Sequence, residues 1–295
     1  MFAGVHTAIV TPFCDGRFDR EAHAALVERQ IVAGIDGLVP CGTTGESSTL
    51  SDEERLQVIG DTVALAKGRC QVIAGVGTND TAQSIRLARR AAELGADGAL
   101  VITPYYNKPT QEGLFHHFRA IAEAVPGLPL MLYNVPSRTG IDLLPETVDR
   151  LADVPGVVAL KEATANMVVG ARIAAATSDR LTLLSGDDPT ALPLWAVGGR
   201  GVVSVTSNVV PDQVVALWRA FARGDIETAR HLHLKLLPLS LGLFVETNPV
   251  PAKALLARLT GLCSPEVRLP LTPLLAESVA RLRPICAALG LEIGA

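Results

Sequence analysis

The chain has 295 residues, of which 48% are hydrophobic and 19% are charged, and its formal net charge is −4. This length and apolar fraction suffice for one large domain of barrel size or for two smaller ones. The slightly acidic balance, without long runs of like charge, argues against a protein that binds nucleic acids.

Cysteine spacing and hydropathy predict a soluble, cytoplasmic protein. The five cysteines form no C-x-x-C pair, which favours free thiols in a reducing compartment over disulfides or a zinc site. The apolar N-terminus lacks a basic leader and is interrupted by His6 and Pro12, so we interpret it as a strand and not as a signal peptide. The longest apolar stretches, such as Leu236–Val245, are far shorter than the roughly 20 residues of a membrane-spanning helix.

Short apolar runs typical of buried strands recur about every 25 to 35 residues along the chain. Along the sixth run, the alternation of side chains predicts that Val157, Ala159 and Lys161 share one face. We predict eight strands in all, at Val5–Thr11, Gly37–Cys41, Gln71–Gly75, Gly98–Thr103, Pro129–Val135, Val157–Lys161, Leu181–Ser185 and Gly201–Thr206.

The stretches between these runs show helical periodicity. Ser51 followed by Glu54 has the pattern of a capping box, which predicts the start of one helix. In the next helix, the spacing of Ile85, Ala88 and Ala92 predicts the face that points inward.

Eight alternating strands and helices predict a parallel sheet closed into a (β/α)8 TIM barrel. An open, doubly wound sheet is the alternative, but the nearest match to its dinucleotide fingerprint, Gly75–Asp80, lacks the third glycine. The alternation stops after Asn208, where only helical patterns follow. We therefore expect a barrel over residues 1–224 and a C-terminal α-helical extension over residues 225–295 that packs on it.

Polar residues and glycines collect at the predicted carboxyl ends of the strands, where barrels of this kind carry their active sites. Lys161 ends the sixth strand, and a desolvated neutral amine there could attack a ketone to form a Schiff base. The alternatives are a lysine that points outward or one paired with Glu162. Tyr133 ends the neighbouring strand and could move the protons that this chemistry requires. Further hydroxyl groups that could relay these protons belong to Thr43, Thr44 and Tyr106.

Two further features favour an anionic substrate. The turn within Cys41–Ser47 offers successive backbone N–H groups, which suit a carboxylate, and Arg138 could bind a second carboxylate. Asp187 and Asp188 follow the seventh strand and would repel a phosphate, so a pyridoxal phosphate site is not expected. The sequence also contains no histidine–carboxylate cluster that would indicate a metal site.

Six segments together resemble the 4-hydroxy-tetrahydrodipicolinate synthase (dihydrodipicolinate synthase) family, within the pyruvate-dependent class I aldolases that also include N-acetylneuraminate lyase. The resemblance extends from Phe2 through the C-terminal helices. The segments that carry it are "GTTGES", "TPYYNKPTQEG", "LYNVPSRTG", "KEAT", "LLSGDD" and "GVVSVTSNV".

The resemblance implies a role for each candidate residue. Lys161 would form the Schiff base with pyruvate, and Tyr133 and Thr43 would relay protons. Tyr106 would complete the relay from an adjacent subunit, in a homo-oligomer that is usually a tetramer of two tight dimers. The region of Thr43 and Thr44 would hold the carboxylate of pyruvate.

The resemblance also implies the second substrate, L-aspartate 4-semialdehyde, whose carboxylate Arg138 would bind. Gly186 and Val203 would line the site with backbone carbonyls; isoleucine is common at the second position, a mild change for a main-chain contact. No metal or organic cofactor would be required beyond the covalent Schiff base with pyruvate. The pathway would be lysine and diaminopimelate biosynthesis.

Many members of the family are inhibited by lysine, which binds a cleft at the dimer interface. Sensitive members usually have glutamate where Gln83 stands and histidine where Arg55 stands. Because the loss of a carboxylate and the gain of a cation both disfavour a cationic ligand, we expect weak inhibition or none. The corresponding residues are Ser47, Ser48, Asp52, Arg55, Asn79, Gln83 and Tyr105.

Two other functions remain open from the sequence. A related aldolase that cleaves N-acetylneuraminate or a 2-keto-3-deoxy sugar acid would use the same Lys161 and Tyr133. It would bind a polyol rather than a carboxylated aldehyde, so Arg138 argues against it. A non-catalytic ligand-binding barrel would be expected to have lost some of these residues.

Overall fold

The computed structural model describes residues 1–293, in which eight parallel strands form a closed barrel. Each strand pairs with its neighbours in the sequence, and the first strand closes the barrel against the last. This arrangement confirms the predicted (β/α)8 TIM barrel. The strands are β1 (Gly4–Thr7), β2 (Gly37–Leu38), β3 (Gln71–Gly75), β4 (Gly98–Ile102), β5 (Leu130–Asn134), β6 (Val157–Glu162), β7 (Thr182–Ser185) and β8 (Gly201–Ser204).

The helices lie between and after the strands, and a small hairpin of Phe13–Cys14 and Arg17–Phe18 follows β1. They are α1 (Arg20–Val32), α2 (Asp52–Ala66), α3 (Thr81–Glu93), α4 (Gln111–Ala124), α5 (Pro136–Thr139), α6 (Pro145–Leu151), α7 (Met167–Thr177), α8 (Ala191–Ala196), α9 (Pro211–Ala222), α10 (Ile226–Gly242), α11 (Val250–Thr260) and α12 (Ala276–Ala288).

The first two strands are shorter than predicted. β1 ends at Thr7; Ala8 N still donates to Ser204 O at 2.9 Å, and the N–H of Val10 donates to a side chain, Asn208 Oδ1, at 3.2 Å. β2 ends at Leu38, and Cys41 has a positive φ of 56°, which turns the chain out of the extended conformation. The residues that the sequence assigned to strand ends therefore form loops at the barrel mouth.

The predicted start of α2 is confirmed, and the predicted inward face of α3 is confirmed only in part. The capping box of α2 is present, with Glu54 N donating to Ser51 Oγ at 3.2 Å and Ser51 N donating to Glu54 Oε2 at 3.0 Å. In α3, Ala88 and Ala91 are buried, whereas Ala92, predicted to point inward, is exposed. This prediction was wrong because α3 packs against α2 and α4 as well as β4, so its buried face is set by three neighbours.

A bulge changes the predicted face of β6. The register with β5 shifts so that Leu130 pairs with Val157 but Met131 pairs with Ala159. Ala159 faces the hydrophobic cluster inside the barrel, whereas Val157 packs with the cluster between the barrel and its helices. Lys161 follows Ala159 by two residues, so both lie on the interior face as predicted. Val157, which was predicted to share this face, does not.

The C-terminal helices share one hydrophobic core with the barrel. Leu236 of α10, Leu255 of α11 and Leu282 of α12 belong to the same buried cluster as Val5 of β1 and Leu38 of β2. Burial of this apolar surface attaches the helices to the barrel. The proposed division at residue 224 stays a prediction.

Candidate active site

Lys161 lies near the carboxyl end of β6 with only 4% of its surface exposed. Its register partner on β5 is Tyr133, which is also buried, and the Lys161 Nζ lies 4.1 Å from the centroid of the Tyr133 ring. Within residues 1–293, no carboxylate forms a salt bridge with this amine. A buried lysine amine without a salt-bridge partner is suited to Schiff-base chemistry.

Glu162 does not pair with Lys161. It accepts hydrogen bonds from Asn134 Nδ2 at 3.0 Å and from the backbone N–H of Thr164 at 2.7 Å. Burial raises the pKa of the Glu162 carboxyl above its ordinary value of 4.5, although these hydrogen bonds oppose the shift. The structure therefore excludes both alternatives for Lys161, an outward orientation and a pair with Glu162.

Gly186, at the end of β7, packs directly against the lysine stem. A Cβ atom at this position would lie 2.9 Å from Lys161 Cγ and 3.0 Å from Lys161 Cε. The backbone N–H of Gly186 donates to Glu162 O at 2.7 Å, which fixes the loop at this distance. A side chain at this position would therefore crowd both Lys161 and Ala163, whose Cβ would lie 2.8 Å away. Val203 of β8 is buried in the interior cluster.

A cavity of about 370 Å³ opens at Lys161. The structure brings five of the predicted site residues together around it, although they come from different strands and loops. These residues are Lys161, Tyr133, Thr44, Arg138 and Gly186.

The loop that follows β2 forms a tight turn beside this cavity. The backbone N–H of Gly45 donates to Gly42 O and that of Glu46 donates to Thr43 O, each at 3.1 Å. The N–H groups of Thr43 and Thr44 have no acceptor in the part of the chain that the structure describes. Two adjacent free donors in a turn are suited to a carboxylate, and the predicted carboxylate site stays a prediction.

Asn248, in the loop before α11, is a site residue that the sequence reasoning missed. Its Nδ2 donates to Thr44 Oγ1 at 2.9 Å, and its backbone oxygen accepts from Arg138 Nη2 at 3.2 Å. It is buried and contacts the Lys161 cavity. The only local signal is an Asn-Pro pair, which indicates a turn but not a place in the site.

A second cavity, of about 290 Å³, adjoins the first and shares Tyr133, Arg138 and Asn248 with it. Thr43 lines this cavity rather than the one at Lys161. Four of the residues predicted for an effector cleft also line it, namely Ser47, Ser48, Arg55 and Tyr105.

Arg55 of α2 is 6% exposed, and its Nη2 donates to Ser47 O at 2.7 Å. Its Nε and Nη1 atoms are buried without a hydrogen-bond partner among residues 1–293. Gln83 Nε2 donates to Asp52 Oδ1 at 3.1 Å, so these two predicted cleft residues also lie together. Asn79 lines neither cavity.

Tyr106 is not brought to the site within one chain. Its side chain is 89% exposed, its φ is 73°, and it lines neither of the two cavities. The role predicted for Tyr106 requires an adjacent subunit and stays a prediction.

The five cysteines are free thiols, and burial raises the pKa of Cys41 to about 12. Across the described range, 1–293, no three His, Cys, Asp or Glu side chains are grouped so that they could hold a metal ion. No helix in the same range is both long and apolar enough to cross a membrane.

Comparisons with known proteins agree with this geometry. Residues 1–288 match the dihydrodipicolinate synthetase family. The chain is 55% identical over 291 residues to 4-hydroxy-tetrahydrodipicolinate synthase of Nitratidesulfovibrio vulgaris (strain DP4), covering 98% of this chain and 99% of that protein.

Two crystal structures show the same fold. Dihydrodipicolinate synthase from Aquifex aeolicus has a TM-score of 0.96 and 43% identity over 100% of both chains. The chloride-inhibited dihydrodipicolinate synthase from Acinetobacter baumannii, complexed with pyruvate, also has a TM-score of 0.96, with 44% identity over 99% of this chain and 100% of that chain. The protein therefore belongs to the dihydrodipicolinate synthetase family.

Proposed function

We propose that the protein condenses pyruvate with L-aspartate 4-semialdehyde to give 4-hydroxy-tetrahydrodipicolinate. The observation that carries this proposal is the buried, unpaired amine of Lys161 beside the ring of Tyr133. Relatives that are 55% identical over nearly the whole chain have the same activity in their name. The product places the enzyme in lysine and diaminopimelate biosynthesis.

The first step forms a Schiff base. The neutral amine of Lys161 attacks the ketone carbon of pyruvate and gives a carbinolamine. The phenol of Tyr133 donates a proton to the carbinolamine oxygen, and water leaves as the C=N bond forms.

The second step forms a carbon–carbon bond. The iminium accepts electrons as the pyruvate methyl group loses a proton, and the resulting enamine attacks the aldehyde carbon of the semialdehyde. The amino group of that substrate then attacks the imine carbon and displaces Lys161, which closes the ring and frees the enzyme. The Schiff base itself is the electron sink, so the reaction includes no redox step.

Two anion sites orient the substrates. The free N–H groups of Thr43 and Thr44 are proposed to bind the carboxylate of pyruvate. Thr43 lines the adjoining cavity and Thr44 lines the cavity at Lys161. Arg138 lines the same cavity and would bind the carboxylate of the semialdehyde. Gly186 and Val203 would face the substrates with their backbone carbonyls.

The active form is proposed to be a cytoplasmic homo-oligomer, a tetramer of two tight dimers. Tyr106 of an adjacent subunit would then join the proton relay of Tyr133 and Thr43, which is supported by its 89% exposure in the single chain. Sedimentation of the purified protein tests this arrangement, and a stable monomer with full activity would contradict it.

Inhibition by lysine is proposed to be weak or absent. Arg55 places a buried guanidinium at the wall of the 290 Å³ cavity, with Nε and Nη1 unpaired, and it would repel the ammonium groups of lysine. Gln83 offers no carboxylate to hold them. Half-maximal inhibition at sub-millimolar lysine would contradict this proposal.

The proposed reaction is tested by mixing the protein with pyruvate and L-aspartate 4-semialdehyde and coupling product formation to an NADPH-dependent reductase. Turnover by the wild type that is lost in Lys161→Ala is the expected result. Release of pyruvate from N-acetylneuraminate or from a 2-keto-3-deoxy sugar acid, without turnover of the semialdehyde, would instead identify a related aldolase.

A further inference from the structure

A buried ion pair joins the C-terminal helices to the loop that carries Thr43 and Thr44. Lys253 of α11 donates from its Nζ to Glu46 Oε1 at 2.7 Å, and the two side chains are 0% and 1% exposed. The two residues are 207 positions apart in the sequence. The pair lies outside the set of residues that perform the chemistry.

The second carboxylate oxygen of Glu46 is also bound by the C-terminal segment. Arg268 N donates to Glu46 Oε2 at 3.0 Å. The ring of Phe13 contacts both cations, with its centroid 4.3 Å from Lys253 Nζ and 4.3 Å from Arg268 Cζ. The guanidinium of Arg268 in turn forms an ion pair with Glu54 at 2.5 Å. Both oxygens of Glu46 are therefore fixed by residues that follow the barrel.

Glu46 sits at the end of the turn that presents the free N–H groups. Its backbone N–H donates to Thr43 O at 3.1 Å, and its φ is 53°, a left-handed conformation that is unfavourable for a residue other than glycine. Such a backbone persists only where its surroundings hold it. The contacts around it include those of Lys253 and Arg268 with its carboxylate, and a hydrogen bond from Thr49 N to its backbone oxygen at 3.0 Å.

Stability alone does not explain this pair. Removal of two charges from water is costly, and a buried ion pair is often no more stabilising than apolar residues of similar volume. Burial lowers the pKa of Lys253 below its ordinary value of 10.5, and the nearby carboxylate of Glu46 opposes that shift. A buried pair that fixes a carboxylate within the loop of Thr43 and Thr44 is suited to a positional role.

We propose that Glu46 and Lys253 are positioning residues that hold the N–H groups of Thr43 and Thr44 where pyruvate binds. This inference rests on the proposed function, because it assigns the bound anion as pyruvate. It gives a role to contacts by which the C-terminal segment reaches the site, among them Lys253 with Glu46 and Asn248 with Thr44.

The test uses Glu46→Gln, Lys253→Met and the double variant, with Lys235→Met as control because Lys235 is exposed on α10. Each protein is incubated with pyruvate and borohydride, and the rate of covalent trapping is measured together with Tm. The single variants leave one buried charge unpaired and are expected to lower Tm, whereas the double variant is expected to regain most of it. All three are expected to trap pyruvate at least about tenfold more slowly, since small misplacements of binding groups carry large rate penalties.

The double variant distinguishes a positioning role from a purely structural one. If the pair is only structural, the rate of pyruvate trapping should recover together with Tm. Recovery of both would overturn the inference, as would normal trapping in the folded single variants. If the double variant does not fold, Glu46→Asp keeps the charge but shortens its reach: slower trapping in this folded variant supports the inference, and an unchanged rate overturns it. The assay needs pyruvate alone, so absence of trapping in the wild type would contradict the proposed function as well.

Discussion

Tyr133 and Lys161 are register partners on adjacent strands, and the lysine Nζ lies 4.1 Å from the centroid of the tyrosine ring. Their separation is set by the hydrogen bonding of β5 with β6 and not by a flexible loop. Backbone pairing therefore holds the amine and its proposed proton donor together before any substrate binds, which lowers the entropic cost of reaching the reactive geometry.

Replacement of Tyr133 by phenylalanine tests the proton donor. The substitution keeps the ring that packs on Lys161, so we expect Tm to change little. Loss of the phenol should lower turnover by about 100-fold, the lower range for removal of a general acid–base group. Turnover and pyruvate trapping are measured side by side, and wild-type rates in the variant would refute the role of this hydroxyl.

Replacement of Gly186 by alanine should displace Lys161. The new Cβ would lie 2.9 Å from Lys161 Cγ and 2.8 Å from Ala163 Cβ, so side chains or backbone must shift. We expect a loss of about 1–3 kcal/mol in the free energy of unfolding, as for other overpacked sites, and at least about tenfold slower trapping of pyruvate.

Gly60→Ala is the matched control for that variant. Gly60 lies in α2, where the nearest atom to a new Cβ is Leu94 Cδ2 at 3.3 Å, the end of a flexible side chain. Alanine also favours the helix over glycine. Equal losses of activity in the two variants would show that the effect of Gly186→Ala is not specific to Lys161.

Arg138 should determine the affinity for the second substrate. Arg138→Ala is expected to raise the KM for L-aspartate 4-semialdehyde by about 10- to 100-fold, the range of a lost charge-assisted hydrogen bond. Arg138→Lys keeps the charge but not the bidentate fork, so an intermediate KM is expected. Trapping of pyruvate alone should be unchanged in both, and a rise in the KM for pyruvate instead would reverse the assignment of the two anion sites.

Stability should decrease in acid through buried histidines. Burial lowers the pKa of His23 from its ordinary value of 6.5 to about 4, and that of His117 to about 4 as well. His23 Nε2 lies 2.9 Å from Thr62 Oγ1, whose own proton goes to Val58 O, so Nε2 carries the hydrogen and Nδ1 is buried without a partner.

The sign of this dependence follows from proton binding. Between pH 6.5 and about 4 the unfolded chain binds protons that the folded chain does not, so the free energy of unfolding decreases as the pH falls through this window. His23→Gln should reduce the slope, with the exposed His231→Gln as control. Denaturant titrations at several pH values in this range measure the free energy of unfolding. The same pH dependence in His23→Gln and wild type would rule out His23 as a cause.

Much of the fold was predictable because its signals are local. The recurrence of short apolar runs predicted eight strands, and the pattern from Ser51 to Glu54 predicted the start of α2, both of which are confirmed. The place of Lys161 on the interior face followed from the two-residue period of a strand. Its burial beside Tyr133 follows from the same period in β5.

Other features depend on contacts that no local pattern carries. The bulge that moves Val157 to the outer face of β6 arises from the pairing of β6 with β5. The contacts of Asn248 with Thr44 and of Lys253 with Glu46 join residues more than 200 positions apart. Neither periodicity nor spacing in the sequence indicates that these side chains meet. The contribution of the C-terminal segment to the site is therefore seen only in the three-dimensional structure.

The most direct test of the account is to locate the pyruvate adduct. Wild-type protein is reduced with borohydride in the presence of pyruvate, digested, and mapped by mass spectrometry. We predict one reduced pyruvate adduct, on Lys161, and none after the substitution Lys161→Arg. An adduct on the other buried lysine, Lys253, or no adduct at all, would contradict the assignment of Lys161 as the Schiff-base residue.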